Sequence, residues 1–269
     1  MAGNTKALRG RIKSVTSTLQ LTKAMELVAS SKIRRASEAM LKAREYTEVL
    51  ERSISLLTSD PDSLESPYMR PVTSDSPRTR IIIIAGDRGL AGGYNANVFR
   101  LASFFPDAEF IPVGKRACER YGEDINSSER YYFDEAYELS EKLCSDFRAG
   151  GFDRLGILYT EYVSVMTQEA RIKWILPLTK AENGSNLDII FEPDQKAVLN
   201  NAVREYVAGM MIATLRESFA CEVAARRMAM ESAGKNAKEM IDRLQLEYNR
   251  ARQGAITQEI TEIVAGSGS

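Results

Sequence analysis

RIKSVTSTLQLTKAMELVASSKIRRASEAMLKAREYTEVLERSISLLTSD, residues 11–60, runs for fifty residues without a glycine or a proline. Proline in a helix interior costs about 3 kcal/mol and glycine about 1 kcal/mol, so such a stretch favours one uninterrupted helix. Its apolar positions alternate by three and four: Ile12, Val15, Leu19, Thr22, Glu26, Ala29, Ile33, Ala36, Met40, Ala43, Thr47, Leu50, Ile54 and Leu57, with only Thr22, Glu26 and Thr47 polar. A mean spacing of 3.5 is a coiled-coil seam and predicts a left-handed supercoil.

All eight prolines lie between Pro61 and Pro193, so the C-terminal flank has none. That flank carries a looser stripe: Leu199, Val203, Tyr206, Met210, Phe219, Val223, Met228, Ile241, Leu244, Tyr248, Ala251, Ile256, Ile260 and Ile263. At 1.5 Å per residue the two flanks would run about 80 Å and about 100 Å, longer than a compact domain of this mass. They are expected to project as an antiparallel or parallel pair. The last stretch, Gly254 to Val264, continues the helix beyond the point where its partner should end, and apolar residues there imply a socket elsewhere.

The middle reads as α/β. Arg80–Ala85 (RIIIIA) is a continuous β-branched run, the mark of a buried parallel strand. A glycine-rich turn and a helix over about 94–104 follow, then a strand at Phe110–Val113, a helix over 134–148 and a strand at Leu155–Tyr159. Residues 162–167 and 170–178 are expected to form a hairpin, with Ile172, Trp174 and Leu176 alternating against Arg171 and Lys173. Residues 58–78 read as a polar, proline-rich connector. The expected division is residues 1–58, 59–194 and 195–269.

Composition excludes much chemistry. The 269-residue chain has no histidine, which removes imidazole bases and His-ligated metals. Its three cysteines (Cys118, Cys144, Cys221) form no C-x-x-C and read as reduced thiols. No run reaches the ~18 apolar residues of a membrane helix, and residues 1–13 lack the apolar core of a secretory signal. Net charge is −1, but residues 1–57 carry 11 basic and 5 acidic side chains against 16 and 23 in residues 58–199. A basic arm thus adjoins an acidic body.

Two motifs invite chemistry. Gly86-Asp87-Arg88-Gly89-Leu90-Ala91-Gly92-Gly93 follows a strand and opens a helix, which suits a phosphate cradle. Its spacing is neither G-x-G-x-x-G nor a P-loop, and a tight strand-to-helix turn explains the glycines. Lys6, Arg9, Arg11, Lys13, Lys23, Lys32, Arg34 and Arg35 form the basic arm, either a solvated face or a surface for an acidic partner. Nucleic acid suits it less well, because no aromatics are interleaved.

Three stretches resemble the gamma subunit of F-type ATP synthases: Leu21-Thr22-Lys23-Ala24-Met25-Glu26-Leu27-Val28-Ala29-Ser30-Ser31-Lys32, Asp87-Arg88-Gly89-Leu90-Ala91-Gly92-Gly93-Tyr94-Asn95, and Tyr248 to Ile260 (YNRARQGAITQEI). The resemblance covers essentially the whole chain. It implies an α/β fold in which a long antiparallel left-handed coiled coil of the N- and C-terminal helices flanks a Rossmann-like α/β domain. The coil would be the central shaft inside a hexamer of alternating alpha and beta subunits. The α/β domain would sit against the epsilon subunit and the membrane c-ring of a proton- or sodium-translocating machine.

The resemblance also implies roles for residues. Lys23, Met25 and Glu26 would meet the acidic lower arms of beta, and Arg252 and Gln253 a beta loop higher up. Ile256, Ile260 and Ile263 would sit in an apolar bearing, and Tyr206 near the foot that touches the ring. No catalysis, cofactor or metal would belong to this chain, since ATP, ADP and Mg sit at the beta subunits, and no nucleic acid is implied. The place would be peripheral, on the cytoplasmic face of a bacterial cell membrane, or the matrix face for a mitochondrial form. Ala91 stands where the family often has cysteine, and the paired-cysteine insertion of chloroplast relatives is absent, so no thiol switch is expected. The competing readings are a nucleotide-binding enzyme using the Gly86–Gly93 loop and a coiled-coil adaptor.

Overall fold

The structure, a computed structural model, describes residues 2–59, 61–123, 126–180, 192 and 194–266. It divides into two compact units, residues 1–30 with 226–269, and residues 31–225. The units cut through both long helices, rather than falling at the helix ends near residues 59 and 195.

Helix α1 spans Ala2–Ser59 and α5 spans Gln195–Gly266, and each contributes to both units. All fourteen seam positions from Ile12 to Leu57 are buried or half-buried, while Leu21, Leu27, Val28, Leu41 and Val49 off the seam are exposed.

In the larger unit the two helices run antiparallel. Lys32 stacks over the Phe219 ring, Arg44 pairs with Glu217, and Gly209 lies against Leu50. Rising numbers in α1 therefore meet falling numbers in α5. Gly209 permits this close approach: a Cβ there would meet the Leu50 side chain. In the smaller unit Gly234 lies against Leu19 and Thr22, and Leu8, Ala29, Met230, Ala237 and Leu244 are buried.

The rest of the larger unit is a four-stranded sheet in the order β2-β1-β3-β4. Strands β1 (Thr79–Ile84), β2 (Glu109–Val113) and β3 (Arg154–Tyr162) are parallel, and β4 (Gln168–Leu176) is antiparallel to β3. Central strand β1 buries Ile81, Ile82, Ile83 and Ile84 almost completely, each stabilising the fold by about 1.5–3 kcal/mol. Ile82 and Ile84 face one core, filled by α4 (Phe133–Arg148) and the first part of α5. Ile81 and Ile83 face another, beneath α2 (Tyr94–Ala102) and α3 (Lys115–Tyr121). Helices on both faces of a mixed sheet with three parallel strands match the Rossmann-like expectation.

Three local expectations need correction. Residues 162–167 are not a strand. β3 itself reaches Tyr162 and pairs with β4, and reciprocal backbone hydrogen bonds between Ser164 and Thr167 close the turn. The connector is not simply polar: two short 3-10 turns, Pro61–Glu65 and Pro67–Met69, carry Tyr68 into the core, stacked on Phe147. Helix α3 was also missed, being only seven residues long.

Candidate functional site

Apart from Tyr206, the site residues singled out on the helix pair belong to the smaller unit. Lys23, Arg252 and Gln253 are exposed, and Met25 and Glu26 are half-buried. Thr22 lies against Gly234; stepping back twenty residues to Ala2, where α1 begins, carries the antiparallel partner forward twenty, to Gly254. Helix α5 continues to Gly266, so its final turns extend past the described residues of α1. Ile256, Ile260 and Ile263 are accordingly 47%, 56% and 70% exposed. The side chains of Glu259, Glu262 and Val264 lie outside the described residues. Sequence reasoning did not single out Leu21, Leu27 and Val28, which add an exposed apolar face off the seam. Their signal was their place at non-seam positions.

The basic arm is partly self-neutralised. Lys32 pairs with Glu129 at 2.7 Å and Arg34 with Glu38 at 2.9 Å, whereas Lys6, Arg9, Arg11 and Lys13 are exposed. Tyr206 is only 8% exposed and belongs to the main core. Burial, then the Glu51 carboxylate, pushes its phenol up to about 12. Its side chain therefore packs within the larger unit and offers little surface to a partner.

At the start of the Gly86–Gly93 loop the Gly86 backbone is hydrogen-bonded within the chain. Gly86 N–H donates to Asn95 Oδ1 at 2.9 Å, and its carbonyl accepts from Arg116 N–H at 3.2 Å. A Cβ on Gly86 would meet the Glu222 carboxyl carbon at 2.7 Å. A phosphate would face that buried carboxylate, so the loop is built to dock α5. Ala91 and Tyr94 pack with Cys221 for the same purpose.

Asp87 of this loop fills the anion role itself. It accepts from the Ser127 hydroxyl, from Ser128 N–H at 2.9 Å, from Lys115 N–H at 3.2 Å and from Glu129 N–H at 3.3 Å. Burial pushes its carboxyl up, but these donors outweigh burial and hold it below the usual 3.8. The folded value lies below the unfolded one, so the contribution is complete above the ordinary carboxylate range and fades as pH falls through the folded value. Asp87→Asn should cost about 1.5 kcal/mol at pH 7. Urea unfolding of the purified chain should show that gap closing towards pH 3, and an equal gap at both pH values would refute this reading of Asp87.

A family model described as ATP synthase matches residues 4–269. The chain is 39% identical to the ATP synthase gamma chain of Ruminococcus albus, over 98% of each chain. The chain belongs to the ATP synthase gamma family. It is 38% identical to the gamma chain of Acetobacterium woodii, described as sodium ion specific, over 99% of each. It also shares the fold of a chain in the Euglena gracilis mitochondrial ATP synthase structure, with a TM-score of 0.68 at 17% identity, covering 98% of this chain and 94% of that one.

A gamma chain is a central stalk subunit of the F-type ATP synthase and not its catalytic one, a peripheral part of a membrane-bound complex. Among the described residues of this gamma chain, no helix is long and apolar enough to cross a membrane.

Proposed function

We propose that the chain is the rotating shaft of its ATP synthase, turning inside a hexamer of alternating alpha and beta subunits and coupling a membrane c-ring to ATP synthesis or hydrolysis at the beta subunits. The observation that carries this is the unpaired, apolar end of α5, exposed at Ile256, Ile260 and Ile263, which calls for a surrounding partner. In this reading residues 1–58 and 195–269 make the shaft, and residues 59–194 the body that meets epsilon and the ring. Lys23, Met25, Glu26, Arg252 and Gln253 meet the beta subunits, and the three isoleucines turn in an apolar bearing. Tyr206 braces the foot from inside. The chain holds no cofactor, with ATP, ADP and Mg belonging to the partners, and it works on the cytoplasmic face of a bacterial membrane.

The coupling is mechanical. Driving a beta site from 1:99 to 99:1 takes about 5.5 kcal/mol of bias, whereas one exposed ion pair supplies about 0.2–1 kcal/mol. Several contacts must share the work, and the shaft must present different ones to each of three like sites as it turns. Native mass spectrometry of a tagged copy purified from its host's membranes should find one copy with three alpha-type and three beta-type subunits. A free monomer, or a homodimer carrying nucleotide, would overturn the proposal.

A further inference from the structure

Strand β3 outruns one of its neighbours. β1 follows it only from Arg154 to Leu158, while β4 accompanies it to Tyr162. On the β1 side the final residues of β3 therefore have no strand beside them, and buried backbone groups left without partners are costly. Side chains of α5 stand in for the missing strand. Ser218 Oγ accepts from Thr160 N–H at 3.1 Å, and Glu217 Oε1 accepts from Tyr162 N–H at 2.9 Å. The Cys221 thiol donates to the Thr160 carbonyl at 3.4 Å. Residues 160 and 162 are two apart, so both point their backbone groups to the same edge of the strand.

Helix α1 grips the same place. Arg44 Nη2 donates to the Tyr162 carbonyl at 3.1 Å and to Glu217 Oε1 at 2.5 Å. One turn beyond, the Glu222 carboxylate presses on Gly86 at the end of β1. Burial first, then this carboxylate, holds the Tyr94 phenol well above its ordinary value. These contacts tie both long helices to the ends of two central strands.

We infer that Arg44, Glu217 and Ser218 are positioning residues that form a torque clamp, carrying rotation of the helix pair into the α/β domain. This rests on the shaft reading above. Apolar packing between α5 and the sheet is non-directional, so it resists separation better than sliding. Charge-assisted hydrogen bonds have fixed length and angle and resist shear. The surrogate strand supplies that resistance where the helices meet the strand ends.

The test uses the complete ATP synthase reconstituted in vesicles, with Glu217→Ala and Glu217→Gln. In Glu217→Ala, ATP hydrolysis should stay within about twofold of the parent while the maximal ion gradient per ATP hydrolysed falls about tenfold or more, the scale of one lost charged hydrogen bond. Amide exchange at Tyr162 should accelerate at least about tenfold in the same variant. Glu217→Gln keeps an oxygen for the Tyr162 N–H and should restore at least half the gradient. A parental gradient, unchanged Tyr162 exchange, or a Gln variant no better than Ala overturns the clamp. If Glu217→Ala fails to assemble, Ser218→Ala, which removes only the acceptor for Thr160, takes its place, with the same loss of gradient expected and amide exchange read at Thr160; a parental gradient or unchanged Thr160 exchange overturns the clamp. Failure of the parent chain to support any hydrolysis-linked ion movement would instead overturn the shaft reading.

Discussion

Gly114→Ala will lower the stability of the chain by about 3–5 kcal/mol, among the largest losses a single methyl group can cause. Gly114, between β2 and α3, sits at φ 97° and ψ 145°, a conformation that L side chains rarely adopt. Its ideal Cβ would lie 1.9 Å from the Ala85 carbonyl oxygen and 3.2 Å from Ser128 Cβ. That oxygen belongs to the backbone just after β1, where Ala85 N–H donates to Val113 O. No side chain can swing aside, so relief means breaking the β1–β2 ladder. Gly122→Ala is the matched control. Gly122 also has a positive φ, 75°, but a Cβ there meets nothing within 4 Å, so it should cost only about 1 kcal/mol. Thermal unfolding of both purified chains will separate the two, and equal midpoints would show the close approach at Gly114 to be absent.

Ile82→Ala should cost about 3–4 kcal/mol. Ile82 is fully buried on the central strand, paired to β2 at Ile111 and to β3 at Ile157. Both flanking strands are fixed by their ladders, so little collapse into the cavity is available. Leu27→Ala removes a similar side chain that is 71% exposed and should change stability by less than about 0.5 kcal/mol. Denaturant titrations of the two variants measure the contrast. A loss at Leu27 comparable with that at Ile82 would mean that Leu27 packs within the chain and is not free for a partner.

How much of this was legible in the residues depends on the range of the force involved. The 3.5 spacing from Ile12 to Leu57 reported a buried seam faithfully, because a helix repeats its geometry and the hydrophobic effect needs only one covered face. The Ile81–Ile84 run marked the central strand for a similar reason. Val163 and Val165, alternating with Ser164, mimicked a strand although the hairpin tip leaves them 53% and 43% exposed, since local alternation carries no record of what covers it. Tyr68, amid prolines and serines, gave no sign that it would reach Phe147.

The functional surface divides in the same way. Exposure at Ile256, Ile260 and Ile263 followed from chain length and pairing alone. The clamp did not: Glu217 and Glu222 interrupt an apolar stripe, and only the strand ends they meet explain why carboxylates are tolerated there. The Gly86–Gly93 loop offered both a cradle and a turn to the reader, and Glu222, more than 130 residues away, decides between them.

The antiparallel register has a consequence for the order in which the protein forms. Joining Thr22 to Gly234 closes a loop of more than 200 residues, and the entropy of closure is met only after shorter-range contacts have formed. On the ribosome α1 emerges first, with its seam uncovered until the last quarter of the chain is made. The sheet must assemble next and bring Gly209 against Leu50, after which the helices can zip outward towards their far ends. Nascent α1 is therefore a natural client for a chaperone that binds amphipathic helices, and a fault in the sheet would leave the distant tip unzipped.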